Sequence, residues 1–101
     1  MNGFRKISEW VSSDAVTHLV YEPLKSITVK QFLKQHENIK LITVGFVLVD
    51  KDRKPVTPMI HFGKGVIRPG VWGKEYYSKK IKKVYLTDAY AELDYEIEVA
   101  E

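Results

Sequence analysis

The sequence of 101 residues contains no cysteine. This absence excludes a disulfide framework, a thiolate nucleophile and a zinc site built from cysteine ligands. Because a small domain without disulfides is typical of a reducing compartment, we expect a cytoplasmic protein.

Glycine and proline are also scarce, with six and four residues. Hydrophobic residues make up 45% of the chain and charged residues 29%, a balance typical of folded proteins and unlike that of disordered segments. The length suits one domain of ordinary size, so we predict a single domain over residues 1–101.

Long hydrophobic runs are missing as well. The longest apolar run extends from Leu41 to Val49, which is well short of the ~20 residues needed to cross a bilayer. The N-terminal stretch MNGFRKISEWVSSD lacks the apolar segment that a secretory signal peptide carries. We therefore expect no membrane partner.

The clearest local pattern that is present lies in the stretch TVKQFLKQH, residues 28–36. Thr28 followed three residues later by Gln31 predicts a capping box at the start of a helix. Four residues of the apolar face then follow at the spacing i, i+3, i+4 and i+7: Val29, Phe32, Leu33 and His36. We predict a helix over about 29–37.

Runs of apolar and β-branched residues predict strands elsewhere in the chain. The longest run, residues 39–49, has no helical period and suits a central strand buried on both faces. The other predicted strands cover residues 15–21, 55–62, 83–87 and 93–99. The spacing of Phe4, Ile7 and either Trp10 or Val11 predicts a short amphipathic helix near the N-terminus. The expected fold class is α+β, a mainly antiparallel sheet of four to five strands with one helix packed on a face.

Histidines are the first candidates for metal binding or catalysis, and there are three: His18, His36 and His61. No HxH, HExxH or carboxylate-x-x-His spacing presents two ligands from one element. We interpret His36 as a packed residue on the apolar face of the helix, with one nitrogen hydrogen-bonded. The sequence predicts no metal site.

No other motif indicates catalysis or a cofactor. The glycines of residues 63–65, GKG, are not followed by the helix that a phosphate-binding loop requires. Asp94, Glu96 and Glu98 alternate along the last predicted strand, a pattern more typical of a solvated or edge-protecting surface than of a catalytic pair. We predict no catalytic residues and no cofactor, and a protein that is not an enzyme.

The segment RPGVWGKEYYSKKIKK, residues 68–83, carries six basic residues and one acidic residue among aromatic ones. Basic side chains give affinity for phosphate backbones, and exposed aromatic rings stack on unpaired bases. A second short helix over 74–82 would gather the lysines on one face, whereas a strand would divide them and set them opposite Glu96 and Glu98. The candidate binding residues for nucleic acid or an acidic protein surface are Lys74, Tyr76, Lys79, Lys80, Lys82 and Lys83.

Three functional classes remain open. The first is a small non-enzymatic binding domain that contacts nucleic acid through the surface at 74–83. The second is a protein–protein interaction module or homo-oligomer that pairs through a strand edge, for which the last strand is the candidate. The third, an enzyme whose site converges from distant residues, ranks last because no catalytic set is visible.

Overall fold

A computed structural model describes residues 1–36, 43–62, 72–89 and 92–100. These residues form one mixed six-stranded sheet and two helices. The strands are β1 (Phe4–Val11), β2 (Thr17–Pro23), β3 (Thr43–Val49), β4 (Ile60–Phe62), β5 (Ile81–Ala89) and β6 (Glu92–Val99). The helices are α1 (Val29–Gln35) and α2 (Lys74–Tyr77). The predicted α+β class is confirmed, with more strands than predicted.

The strands lie in the order β1-β2-β5-β6-β3-β4. Neighbouring strands are antiparallel except for β3 and β6, which pair in parallel. Parallel neighbours need a long crossover connection, and here that connection contains β4, α2 and β5. The crossover places β6 in the interior of the sheet, so the prediction that the last strand forms a pairing edge is wrong.

Helix α1 begins where the sequence predicts. The Thr28 hydroxyl accepts a hydrogen bond from the Gln31 backbone N–H at 3.2 Å, and the Gln31 side chain accepts one from the Thr28 N–H at 2.9 Å. These two bonds satisfy donors that a helix start otherwise leaves unpaired. The helix ends at Gln35 with His36 as its C-cap, slightly before the predicted end at 37.

The core lies between α1 and one face of the sheet. Phe32 of α1 is fully buried, and its ring makes edge contacts with Phe4, Phe46 and Tyr95 at centroid distances of 5.6, 6.4 and 5.6 Å. These three rings belong to β1, β3 and β6, so a single side chain ties the helix to the edge and the interior of the sheet. Edge-to-face contacts of this kind add to the gain from burying the rings.

The N-terminal helix predicted from Phe4, Ile7 and Trp10 is wrong, because these residues belong to strand β1. The pairing of β1 with β2 shifts by one residue between Lys6 and Ser8, which marks a β-bulge at Ile7. A bulge inserts one residue and breaks the strict alternation of sides along a strand. The resulting three-residue spacing of apolar side chains resembles that of a helix.

Two other predicted segments are shorter than expected. Strand β4 covers only residues 60–62, because Pro55 and Pro58 cannot donate ladder hydrogen bonds. Helix α2 confirms the second helix but ends at Tyr77, and the chain then enters β5. Among the described residues, neither helix has the length and apolar character to cross a membrane.

His36 occupies the buried position that the helical spacing predicts. Its Nδ1 lies 2.8 Å from the Phe32 carbonyl oxygen, and its ring is 4.2 Å from the Phe32 ring and 5.0 Å from that of Tyr95. Only 8% of His36 is exposed. Burial lowers its pKa below the ordinary 6.5, since the charged imidazolium would lose its hydration.

We expect His36 to make the folded state acid-sensitive. As pH falls below 6.5, the unfolded chain takes up a proton at His36 that the folded protein resists, so the free energy of unfolding decreases. Urea denaturation above and below pH 6.5 should show a smaller decrease for His36→Gln than for the wild type. His18→Gln, at a histidine outside the core, should keep the wild-type decrease. An unchanged decrease in His36→Gln would contradict this origin.

Candidate functional site

The face of the sheet opposite α1 carries most of its polar side chains. On β6, Tyr95 and Ile97 are buried in the core, so Asp94 and Glu96 point to the other side, which we call the open face. The strand pairings align one row of residues across the whole sheet: Trp10, His18, Thr87, Asp94, Gly45 and His61. This row joins residues that are as much as 84 positions apart in sequence.

One end of the row holds a cluster of three potential metal ligands, His61, Glu92 and Asp94, which we call the His61 cluster. His61 Nε2 lies 3.8 Å from Asp94 Oδ1 and 3.9 Å from Glu92 Oε1. One ligand atom from each residue lies within 4.8 Å of the other two. The arrangement exists because β3 pairs with β4 on one side and with β6 on the other, which sets Gly45 between His61 and Asp94.

Gly45 provides the space in which these side chains meet. A Cβ atom at this position would lie 2.4 Å from Asp94 Oδ1 and 3.1 Å from the Cδ2 and Nε2 atoms of His61. The Asp94 carboxylate and the edge of the imidazole therefore occupy the volume that any other residue would fill with its own side chain. No special backbone angle requires glycine here, so the close approach of these side chains is its structural role.

The other carboxylates of the open face have cationic or hydroxyl partners. Glu22 pairs with Arg5, and Glu96 accepts hydrogen bonds from Arg53 at 3.0 and 3.3 Å. Glu98 lies opposite Lys83 on β5 and accepts a hydrogen bond from the Tyr85 hydroxyl at 3.2 Å. These contacts distinguish the paired carboxylates from the two in the His61 cluster.

Asp94 is the most constrained member of the cluster. Its Oδ1 atom is buried and has no hydrogen-bond partner among the described residues. Loss of hydration raises the pKa of Asp94 above 3.8, the nearby Glu92 carboxylate raises it further, and His61 opposes the increase. The Asp94 carboxylate thus has less compensating positive charge beside it than the paired carboxylates of the open face.

The six candidate binding residues of the basic segment lie in three elements: Lys74 and Tyr76 in α2, Lys79 and Lys80 in the connection to β5, and Lys82 and Lys83 in β5. They do not share one helical face, because α2 ends at Tyr77. Lys83 lies opposite Glu98, as expected for a strand. Contact with nucleic acid through this segment stays a prediction.

The sheet edge formed by β1 is the second notable surface. Seven of its eight residues are exposed. Three large hydrophobic side chains lie on it, with exposed fractions of 43% for Ile7, 54% for Trp10 and 62% for Val11. Trp10 also stacks on His18 at a centroid distance of 4.1 Å. No strand of the described ranges pairs with the outer side of β1.

No protein-family model matches this chain, and neither the curated proteins nor the solved structures include one with significant similarity to it. The interpretation of both surfaces therefore rests on the residues and their geometry.

Proposed function

We propose that this protein is a small non-enzymatic binding domain that self-associates through the β1 edge. The observation that carries the proposal is the position of Ile7, Trp10 and Val11, exposed together on an edge strand with no outer partner in the described part of the chain. Trp10, opposite His18, and Val11, opposite Thr17, lie on opposite faces of the sheet, so the feature that they share is the edge itself. An unpaired strand edge offers backbone hydrogen bonds to a new strand, and apolar side chains on both of its faces can be covered by that strand.

A second copy of the chain fits this edge because the charges of β1 are self-complementary. Lys6 lies opposite Tyr21 and Glu9 opposite Leu19, so the bulge at Ile7 puts both charged side chains on the same face. If two β1 strands pair antiparallel with Phe4 opposite the Val11 of the second copy, each Lys6 lies opposite a Glu9. Opposite charges at facing positions stabilise a strand pair by roughly 0.2–1 kcal/mol each.

The same register also matches the open face. Arg5 lies opposite Glu22 and Trp10 opposite His18, so Arg5 and Trp10 share that face. In the dimer, each Arg5 would lie opposite the Trp10 of the second copy, an arrangement in which a guanidinium contacts an indole ring. A twofold axis makes each contact occur twice, as in most small homodimers.

The charges and the bulge of β1 are features that normally protect a strand edge from unwanted pairing. Lys6 and Glu9 already form an ion pair within β1. In the antiparallel register a second copy sets a further opposite charge facing each of them, which a foreign strand without these charges does not do. Self-complementarity therefore favours a homodimer over a heterologous partner.

We expect sedimentation equilibrium to give a species of twice the 11.7 kDa monomer mass that dissociates on dilution. Lys6→Glu places a glutamate opposite each Glu9, so self-association should weaken by about tenfold, since two symmetry-related pairs change from attraction to repulsion together. Glu9→Lys should have the same effect. The double variant Lys6→Glu/Glu9→Lys should restore association.

Lys51→Glu, an equal charge change at an exposed residue outside β1, is the matched control and should associate like the wild type. A wild-type protein that stays monomeric at high micromolar concentration would overturn the proposal. So would equal association constants for Lys6→Glu and Lys51→Glu.

Nucleic-acid contact through the segment at 74–83 is the second candidate. The exposure of Lys74, Lys80 and Lys82 favours it, and the position of Lys83 opposite Glu98 weighs against a shared basic face. A cytoplasmic location and the lack of enzymatic activity likewise stay predictions.

A further inference from the structure

We propose that His61, Glu92 and Asp94 bind a divalent first-row transition metal ion, such as Zn²⁺ or Mn²⁺, through Nε2 of the histidine and one oxygen of each carboxylate. This inference does not depend on self-association, because the His61 cluster lies on β4 and β6, at the opposite end of the sheet from β1.

The distances in the cluster suit a common ligand better than direct contacts. At 3.8 and 3.9 Å, the imidazole nitrogen is too far from the two carboxylates for hydrogen bonds. Donor atoms that each lie ~2.1 Å from one metal ion are about 3–4 Å from each other. The two distances from His61 fall in this range, and the donor atoms of Glu92 and Asp94 lie within 4.8 Å of each other. Rotation of the half-exposed Glu92 side chain would bring the third oxygen to the ion.

The charge of the cluster also favours a divalent ion. With a neutral imidazole the two carboxylates carry two negative charges, which a divalent cation compensates. No lysine or arginine of the described ranges forms an ion pair with Glu92 or Asp94, whereas Glu22 and Glu96 each have an arginine partner. Glu92 and Asp94 are thus the carboxylates of the open face for which a cation would supply the missing partner.

An independent observation comes from Asp94 Oδ1. The atom is buried, faces His61 and lacks a hydrogen-bond donor in the described part of the chain. Buried polar atoms are nearly always partnered, so an orphaned carboxylate oxygen needs an explanation. A metal ion between Asp94 and His61 would provide one, because it is the kind of partner that a carboxylate oxygen and an imidazole nitrogen share.

The ligand types select among metals. Ca²⁺ and Mg²⁺ prefer sites made wholly of oxygen atoms, whereas imidazole with carboxylates suits Zn²⁺, Mn²⁺ and related ions. Three protein ligands leave one or more coordination positions for water, and His61 is half-exposed, so an ion would have access from solvent.

A protonated His61 between two carboxylates is the competing explanation of the cluster. The two explanations differ in their pH dependence, because a metal competes with protons for the same three groups. Metal affinity should therefore fall on acidification, whereas an imidazolium ion pair would strengthen.

The test is isothermal titration calorimetry of the untagged chain with Zn²⁺ and with Mn²⁺, at neutral and mildly acidic pH. We expect one ion per chain, release of protons, and weaker binding at the lower pH. His61→Ala, Glu92→Gln and Asp94→Asn should each weaken binding by at least about tenfold, because even the loss of a group that only hydrogen-bonds to a metal ligand typically costs that much. Asp94→Asn should remain folded, because it removes a charge that the folded protein disfavours.

Two variants control for nonspecific binding. His18→Ala removes another histidine of the same row, and Glu96→Gln removes a carboxylate from the same face of β6 that Arg53 already pairs. Both should bind the ion like the wild type. The proposal fails if neither metal binds, if Asp94→Asn binds like the wild type, or if Glu96→Gln loses as much affinity as Glu92→Gln.

Discussion

Replacing Phe32 by alanine should reduce the free energy of unfolding by about 3–5 kcal/mol, as for other large buried aromatic side chains. The expected cost is at the upper end because Phe32 is fully buried and contacts rings from β1, β3 and β6. Its removal would leave a cavity that three elements border, and a sheet cannot close such a gap without shifting its strands. A domain of this size has roughly 5–15 kcal/mol of net stability, so the variant would lose a large part of its free energy of unfolding.

Urea denaturation followed by circular dichroism measures this effect. Lys30→Ala, a change on the exposed side of the same helix, should alter the free energy of unfolding by less than about 0.5 kcal/mol. Phe32→Leu should fall between the two variants, since it keeps much of the buried volume. A loss of under about 1 kcal/mol for Phe32→Ala would contradict the central position of this side chain.

The sequence predicts α1 well because everything that defines the helix is local. Thr28 and Gln31 lie in one turn, and the apolar face repeats every three to four residues. The burial of β3 on both faces is equally visible, since such a strand must be apolar at nearly every residue. Its predicted central position is wrong, because β3 lies next to the edge strand β4. Strand β1 fails for the opposite reason, because a bulge at Ile7 gives it a spacing that imitates a helix.

The His61 cluster could not be predicted from local patterns. His61 and Asp94 are 33 positions apart in sequence, and their contact depends on β3 pairing with both β4 and β6. The parallel pairing of β3 with β6 is a long-range contact, and the sequence of neither strand alone indicates it. The available signal was Gly45, an unfavourable residue in an otherwise apolar, β-branched strand, because such a glycine indicates a close approach by other groups.

The opposite charges of the basic segment 68–83 and of the last predicted strand indicate one contact of this sheet correctly. A hairpin of β5 and β6 sets Lys83 opposite Glu98, which is the internal pairing that the strand hypothesis for residues 74–83 predicts. Glu96 has Arg53 as its partner instead, which the order of charges along the chain does not indicate. Arg53 reaches the open face from the turn between β3 and β4 and also covers the Tyr85 ring at 4.0 Å. Glu92 and Asp94 are left with His61 alone among the described residues.

Replacing Gly45 by alanine should weaken metal binding by the His61 cluster and leave the free energy of unfolding nearly unchanged. The new Cβ would lie 2.4 Å from Asp94 Oδ1, a distance at which one of the two groups must move. The carboxylate is the end of a side chain that can rotate toward solvent, so we expect Asp94 to leave the cluster while β3 stays in place. Affinity for Zn²⁺ or Mn²⁺ should then fall by at least about tenfold, as for Asp94→Asn.

The free energy of unfolding should change little in Gly45→Ala. Alanine restricts the unfolded chain more than glycine does, which favours folding by roughly 0.5–1 kcal/mol, and remaining crowding against His61 at 3.1 Å opposes that gain. Asp94→Asn provides the comparison, since it removes the charge without crowding the strand. Calorimetry and urea denaturation of the two variants side by side should give similar losses of metal affinity in two folded proteins. Wild-type affinity in Gly45→Ala would mean that the close approach at Gly45 does not organise the ligands, whereas a loss of several kcal/mol of stability would mean that Asp94 cannot rotate away. The two measurements together therefore show whether Gly45 matters for the stability of β3, for the arrangement of the metal ligands, or for both.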